Sequence, residues 1–191
     1  MVGQYKSPPH CRMPQFSDNA HMLTHDQFHV QTLGSRTYNS PLRMSTVAGD
    51  GVGNYTPDDA RVLFDITFTR DEVPTGLAFE KAGARESLFF DPAETRAAIV
   101  TCGGLCPGLN NVIRSLYFQL RVNYGIKQVL GIRYGYQGLN PSQAREPLVL
   151  TGDLVEEIHH HGGTVLGTSR GHQDPRVSVD YLAERQIDML F

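Results

Sequence analysis

Cysteine is scarce in this sequence, with Cys11, Cys102 and Cys106 alone among 191 residues. Three thiols cannot all pair with one another, and such sparse usage is typical of a reducing compartment rather than of disulfide-stapled secreted domains. Apolar runs are short, well below the roughly 20 residues that a membrane-spanning helix needs. No charged-then-apolar signal peptide opens the chain. We therefore expect a cytoplasmic protein without a membrane segment.

An excess of positive charge is also lacking. The 17 lysines and arginines are outnumbered by 20 aspartates and glutamates, which gives a formal net charge of -3. A dedicated nucleic-acid binder would usually carry a basic stripe, so we expect no nucleic-acid partner. With 40% hydrophobic residues, the chain is long enough for one domain with a real core.

Metal-ligand spacing is weak throughout. His21, His25 and His29 repeat every four residues and would share a helix face, but their surroundings have little helical character, which favours a solvated stretch over a metal site. The histidines at 159–161 fall at the carboxyl end of a predicted helix, where partial positive charge is favourable. Cys102 and Cys106 lack the further ligands that zinc requires. We assign no metal ligand.

The first half of the chain differs from the second. Residues 1–55 show no sustained helical or strand period and hold Pro and Gly clusters, so we expect a disordered extension. Residues 56–96 resemble an irregular amino-terminal arm. Regular hydrophobic periodicity begins only with residues 97–191, which we interpret as the first part of a nucleotide-binding α/β domain.

Strand and helix signals alternate in that last region. Short apolar runs predict strands at 97–102, 129–132, 164–166 and from 187 onward. Helices are predicted from Leu109 towards a stop at Gly125, from Asp153 to His160, and from an Asp174-Pro175 start to about Arg185. Such alternation predicts an α/β fold: a Rossmann-like three-layer parallel sheet with flanking helices, here incomplete and preceded by an irregular extension.

Two glycine-rich turns follow predicted strands, where ligands bind in parallel sheets. The first reads Thr-Cys-Gly-Gly-Leu-Cys-Pro-Gly-Leu-Asn at 101–110 and leads into a helix. Glycines let a phosphate approach the backbone, and a helix amino terminus attracts it. A tight turn that binds nothing is an equally good interpretation of this motif alone. Its pattern fits neither the P-loop nor the dinucleotide fingerprint.

The second turn reads Gly-Gly-Thr-Val-Leu-Gly-Thr-Ser-Arg-Gly at 162–171. Arg170 sits between glycines directly after a predicted strand, where its guanidinium would fork onto phosphate oxygens. The alternative is a surface loop with a solvated arginine. Two such loops directed at one crevice favour phosphate binding more strongly than either does alone.

Together with Gly-Ile-Arg-Tyr-Gly-Tyr-Gln-Gly-Leu at 131–139, these motifs resemble the phosphofructokinase family in order and spacing. The Cys-Gly-Gly-Leu-Cys-Pro-Gly wording is most similar to its plant, trypanosomatid and actinobacterial branch. The resemblance covers about residues 79–191. It implies a 6-phosphofructokinase, a glycolytic kinase that transfers a phosphoryl group from ATP, with Mg²⁺, to fructose 6-phosphate and yields fructose 1,6-bisphosphate. It also implies a homo-oligomer at full length.

The resemblance implies a role in binding the donor nucleotide for four residues: Gly103, Gly104, Arg170 and Gly171. Either Tyr134 or Tyr136 would flank the donor. The family's Gly-Gly-Asp-Gly-[Thr/Ser] motif and its later Thr-Ile-Asp-Asn-Asp segment, which holds the catalytic base, do not occur in this sequence. We therefore assign no catalytic residue and expect an amino-terminal fragment that is inactive alone. The alternatives are a fragment of a pyrophosphate-dependent enzyme and a non-catalytic truncated paralogue that only binds nucleotide or a partner subunit.

Overall fold

The structure, a computed structural model, describes residues 24–67 and 76–191. Its chain divides into two compact units, one of residues 1–31 and 58–82 and the other of residues 32–57 and 83–191. In chain order the strands are β1 (Tyr38–Asn39), β2 (Arg61–Leu63), β3 (Ala78–Glu80), β4 (Ser87–Leu88), β5 (Arg96–Val100), β6 (Gln128–Ile132), β7 (Leu148–Val149) and β8 (Met189–Leu190), and the helices are α1 (Leu109–Phe118), α2 (Gly152–Glu156) and α3 (Pro175–Glu184). Within the described ranges, no helix has the length and hydropathy of a bilayer-spanning segment.

The described part of the smaller unit contains a two-stranded antiparallel sheet of β2 and β3. It also contains a 3₁₀ turn at His25–Phe28, earlier in the chain. Phe28 packs edge-to-face on Phe64 and Phe79, with ring centroids 5.3 and 4.8 Å apart. Such aromatic contacts stabilise a small unit that has little other core.

In the larger unit, residues before the main sheet form a second small antiparallel pair, β1 with β4. The side chain of Tyr55 donates to the carbonyl oxygen of Leu42 and ties this segment together. The predicted boundaries of an extension at 1–55 and an arm at 56–96 remain predictions. Residues 1–23, including His21 and Cys11, lie outside the described residues, as do residues 68–75.

A four-stranded sheet in the order β7-β6-β5-β8 forms the centre of the larger unit. Strand β5 is parallel to both of its neighbours, and Ala98 lies opposite Leu130 of β6 and Leu190 of β8. Strand β7 joins antiparallel at the edge. The predicted α/β class with a parallel sheet is confirmed, and the antiparallel edge strand was not anticipated.

Strand β5 is buried because small and branched apolar residues alternate between its two faces. Ala97 and Ile99 face a core that includes Ile113 and Tyr117 of α1. Ala98 faces the opposite core, which α3 completes from the other side. Ala97, Ala98 and Ile99 are at most 2% exposed, so helices cover both faces of the strand in three layers.

Two of the three predicted helices form close to the predicted positions. Helix α1 follows Gly108, whose φ of 92° is left-handed, and the chain leaves through a π turn before Gly125 at φ 71°. Helix α3 begins at Pro175, with the Asp174 carboxylate accepting from the Arg176 amide. The prediction of a single helix over 153–160 was wrong in its start and its end. Its cap is Thr151, which accepts from the Leu154 amide, and the helix ends at Glu156 before a short 3₁₀ turn.

The predicted strand at 164–166 was also wrong. These residues form a turn closed by the Gly167 amide donating to the Thr164 carbonyl. Leu166 is 1% exposed and fills the space over Gly131. A Cβ added to Gly131 would lie 2.4 Å from the Cδ2 atom of Leu166. The apolar side chain therefore plugs the core beside β6 instead of pairing in the sheet.

We predict that the core depends on the inner face of α1. Ile113→Ala should lower the free energy of unfolding by about 3 kcal/mol, because a fully buried side chain leaves a cavity. Val112→Ala is the matched control, since Val112 is 56% exposed on the same helix, and it should change stability by less than about 0.5 kcal/mol. Urea denaturation of both variants measures the difference, and equal losses would contradict this packing.

Candidate functional site

Three loops meet at the carboxyl ends of β5 and β6. We name them the first glycine loop (101–108), the tyrosine loop (133–138) and the second glycine loop (167–171). The first glycine loop follows β5 and leads into α1, and the tyrosine loop follows β6. The second glycine loop leads towards α3. Ligand sites in parallel sheets form at this edge, because successive loops there surround one crevice.

Ser169 joins the two glycine loops. Its carbonyl oxygen accepts from the Gly103 amide and from the Cys102 thiol, each at 3.4 Å. In return, the Thr168 hydroxyl donates to the Gly103 carbonyl at 2.9 Å. Three cross-links between residues about 65 positions apart fix the loops as one unit.

Thr101 fastens the start of the same pair of loops. Its hydroxyl donates to the Gly167 carbonyl at 2.7 Å and lies 2.9 Å from the Thr164 hydroxyl. The Thr101 residue is 8% exposed, so its polar side chain is satisfied inside the protein. A buried hydroxyl with good partners specifies one arrangement of the loops.

The tyrosine loop is bonded to the second glycine loop as well. The Tyr134 amide donates to the Leu166 carbonyl at 2.7 Å, and the Gln137 amide donates to the Ser169 hydroxyl at 3.4 Å. Gly135 has φ 59°, and an added Cβ would lie 2.6 Å from the Ser169 hydroxyl oxygen. Only glycine allows this close approach, so all three loops converge on Ser169.

The predicted site glycines face open space. An added Cβ at Gly103, Gly104 or Gly171 would meet nothing within 4 Å. Gly103 and Gly171 also have φ values of 95° and 103°, which disfavour any other residue. Their role is therefore not close packing within this chain. They leave backbone accessible beside the amino terminus of α1, where the helix dipole attracts an anion.

Arg170 is exposed at the end of the second glycine loop. Within the described part of the chain its guanidinium has no hydrogen-bond, ion-pair or ring partner. Neither glycine-rich motif, 101–110 or 162–171, contains aspartate or glutamate. Arg170 therefore has no carboxylate partner among the described residues.

Both predicted tyrosines are partly exposed in the tyrosine loop, Tyr134 at 38% and Tyr136 at 46%. Tyr134 is left-handed, with φ 62°, and its ring lies against Gly167. The guanidinium groups of Arg133 and Arg145 lie 5.5 and 4.8 Å from its ring centroid. Tyr136 makes no aromatic or cation–π contact with the described residues. The structure thus distinguishes a packed tyrosine from a free one.

Asn110 is a site-building residue whose role sequence reasoning missed. It is 2% exposed, its side-chain amide donates to the His161 carbonyl, and its oxygen accepts from the Val165 amide, both at 2.9 Å. The first turn of α1 thereby holds the segment that enters the second glycine loop. An asparagine directly after a glycine-rich turn, at a position facing the core, was the available signal.

The loops are poorly suited to hold Mg²⁺ by themselves. Mg²⁺ in proteins prefers carboxylate and water oxygens, and neither glycine-rich motif has a carboxylate. Among the described residues, no three His, Cys, Asp or Glu side chains are grouped as a metal would need. Cys102 and Cys106 are exposed free thiols. The residues described here do not fit a Mg²⁺ site.

This geometry defines an α/β protein with two glycine-rich loops at the carboxyl edge of its parallel strands, and comparison with known proteins gives its family. The family model described as Phosphofructokinase matches residues 96–191. ATP-dependent 6-phosphofructokinase from Amycolatopsis methanolica is 41% identical over 171 residues, which is 87% of this chain and 37% of that protein. ATP-dependent 6-phosphofructokinase 5, chloroplastic, from Arabidopsis thaliana is 47% identical over 78% of this chain and 32% of its own length. The chain belongs to the phosphofructokinase family.

The matches cover between 24% and 38% of the length of these curated relatives. Among solved structures, phosphofructokinase from Pichia pastoris in the T-state aligns with a TM-score of 0.46 and 25% identity, over 59% of this chain and 12% of that one. So low a score does not bear on the fold, which rests on the strand pairings described above.

We predict that Asn110→Ala loosens the second glycine loop. Losing two buried hydrogen bonds should cost about 1–2 kcal/mol of stability, and amide exchange at Val165 should become faster. Asn111→Ala is the matched control, because Asn111 is the exposed neighbour on α1. Hydrogen exchange measured on both variants tests this, and equal protection of Val165 in both would contradict the role of Asn110.

Proposed function

We propose that this chain forms the phosphoryl-donor wall of an ATP-dependent 6-phosphofructokinase. The reaction would transfer the terminal phosphoryl group of ATP to fructose 6-phosphate and yield fructose 1,6-bisphosphate. The observation that carries the proposal is the pair of glycine loops joined through Ser169, with an unpaired arginine and open glycines on their exposed side. The names of the relatives support ATP as the donor.

Each predicted site residue has a distinct part in donor binding. Gly103 and Gly104 leave room for phosphate oxygens against the backbone, close to the positive end of α1. Arg170 supplies a guanidinium that pairs with phosphate oxygens and stabilises their negative charge during transfer. Gly171 keeps the backbone behind Arg170 clear of side chains. Together these residues position a polyphosphate. Positioning and charge stabilisation are most of what a protein contributes to phosphoryl transfer.

Of the two tyrosines, Tyr136 is the better candidate to flank the nucleotide base. Its ring is 46% exposed and has no aromatic or cation–π partner among the described residues, so a base can stack on it. Tyr134 already packs against two guanidinium groups and Gly167. Stacking a base on an exposed aromatic ring adds attraction beyond simple burial.

The glycine-rich motifs supply no general base and no Mg²⁺ ligand, since they contain no carboxylate. The proposal therefore places both outside this chain's donor wall. Mg²⁺ would neutralise phosphate charge when bound with the nucleotide. The scarcity of cysteine supports a cytoplasmic location, and the family resemblance supports a homo-oligomer for the longer protein. A pyrophosphate-dependent enzyme or a non-catalytic nucleotide binder remains the alternative, and the first experiment below separates the two donors.

ATP binding to the 191-residue chain tests the donor wall. Isothermal titration should show weak binding that Arg170→Ala reduces about 5- to 10-fold, as expected when a charged hydrogen bond of roughly 1–1.5 kcal/mol is lost. Arg43→Ala is the control, because Arg43 is exposed and lies outside all three loops. Pyrophosphate binding in preference to ATP would favour the pyrophosphate-dependent alternative, and equal ATP affinity of the two variants would contradict the role of Arg170.

We also predict that the purified 191-residue chain does not phosphorylate fructose 6-phosphate. Positioning groups without a general base lose roughly 10²–10⁴ of the rate acceleration, and the sugar site lies outside the donor wall. A coupled assay with ATP, and separately with pyrophosphate, measures this in protein free of host kinase. Turnover above a no-protein control with either donor would show that a catalytic carboxylate exists elsewhere in the chain.

A further inference from the structure

We propose that Arg133 and Arg145, packed on the ring of Tyr134, bind the polyphosphate of the donor at the border of the second glycine loop. The inference rests on the proposed function and extends it, because it adds two residues to the donor site that neither glycine-rich motif contains. The ligand class is a chain of phosphate groups with at least two negative charges.

Two like charges share one aromatic ring. The guanidinium carbons of Arg133 and Arg145 lie 5.5 and 4.8 Å from the Tyr134 centroid. Each contact is favourable by itself, because the ring face is electron-rich. Two cations around one ring nevertheless repel each other, and the neutral ring compensates neither charge. An anion placed beside the ring would relieve that repulsion.

No acidic side chain among the described residues pairs with either arginine. The neighbouring carboxylate, Glu146, is bound in both oxygens by Arg185, at 2.9 and 3.2 Å. That double hydrogen bond holds the pKa of Glu146 below its ordinary value, so this carboxylate stays ionised and paired with Arg185. The nearby acid Asp174 caps α3 through the Arg176 amide. Arg133 and Arg145 are therefore left for a ligand.

The ring that carries the arginines is fixed to the second glycine loop. Tyr134 donates its amide to the Leu166 carbonyl at 2.7 Å, and an added Cβ on Gly167 would lie 2.9 Å from its ring. Gly167 is three residues before Arg170. A Cβ added to Gly138 would lie 2.1 Å from the Arg133 carbonyl oxygen. Glycine at position 138 therefore allows the tyrosine loop to fold back on the end of β6. The two charges are thus held at the edge of the loop that presents Arg170.

A polyphosphate chain suits this arrangement better than a single phosphate. Guanidinium groups form paired hydrogen bonds with phosphate oxygens. The arginines belong to different segments, one at the end of β6 and one before β7, and Arg170 belongs to a third. Three cations from three segments match a ligand with several phosphates. The Tyr134 ring orients Arg133 and Arg145 without neutralising their charges.

The test uses the 191-residue chain and inorganic tripolyphosphate, with ATP, inorganic phosphate and adenosine as further probes. Calorimetric titration compares wild type with Arg133→Gln, Arg145→Gln and the double variant. Each single change should weaken tripolyphosphate and ATP binding about 5-fold, as for a partly exposed ion pair, and the double change more than 10-fold. Adenosine binding should stay unchanged, because the arginines contact no base.

Two controls separate charge from structure. Arg145→Lys keeps the charge but loses the paired hydrogen bonds and the planar group on the ring, so it should weaken binding less than Arg145→Gln does. Arg43→Gln makes the same charge change outside the loops and should leave binding unchanged. Raising the salt concentration should narrow the difference between wild type and the double variant, because exposed ion pairs are screened. Thermal unfolding of each variant reports on the fold. Arg145 is exposed and, apart from its contact with Tyr134, bonds to none of the described residues.

The outcomes are distinct. If ATP binding falls in Arg170→Ala but not in the Arg133 and Arg145 double variant, this inference is wrong and the proposed function stands. Failure of wild type to bind ATP or tripolyphosphate contradicts both. Inorganic phosphate bound as tightly as tripolyphosphate overturns the assignment to the donor polyphosphate. Loss of tripolyphosphate binding in the double variant, with adenosine unaffected, supports it.

Discussion

The site depends on Ser169, a residue 9% exposed between three loops. Its carbonyl oxygen accepts from the first glycine loop and its hydroxyl from the tyrosine loop. Glycine is needed on the side of the tyrosine loop because the chain approaches Ser169 so closely there, as the 2.6 Å separation between a Cβ at Gly135 and the Ser169 hydroxyl oxygen shows. Once these bonds form, the open glycines and Arg170 have one position relative to the sheet. For the donor site proposed above, preorganisation of this kind is what would make the charged groups effective.

The sheet supports that arrangement from below. Parallel pairing of β5 with β6 brings the first glycine loop and the tyrosine loop side by side. Leu166, inserted over Gly131, brings the second glycine loop to the same edge. Asn110 in α1 then holds the segment that leads into it. Core packing therefore determines loop geometry, because Leu166, which fills the core beside β6, directly precedes the second glycine loop.

Local signals predicted much of the fold. The Asp174-Pro175 start of α3 and the start of α1 at Leu109 depend on neighbouring residues only, and both were correct. The strand at 164–166 failed because apolar character cannot distinguish a strand from a plug over Gly131. Ser169 and Asn110 were missed because their partners lie 32 to 67 residues away. The two glycine loops and Arg170 were proposed from their motifs and expected at one crevice, whereas the hydrogen bonds that join the loops through Ser169 required the structure.

The central claim is that the two glycine loops bind the donor phosphates. Nitrogen–proton correlation spectra of the labelled chain, recorded during titration with ATP, test it most directly. The account predicts that the amide signals of Gly103, Gly104, Arg170 and Gly171 move together with one dissociation constant. Signals that move elsewhere while these four stay fixed would contradict it.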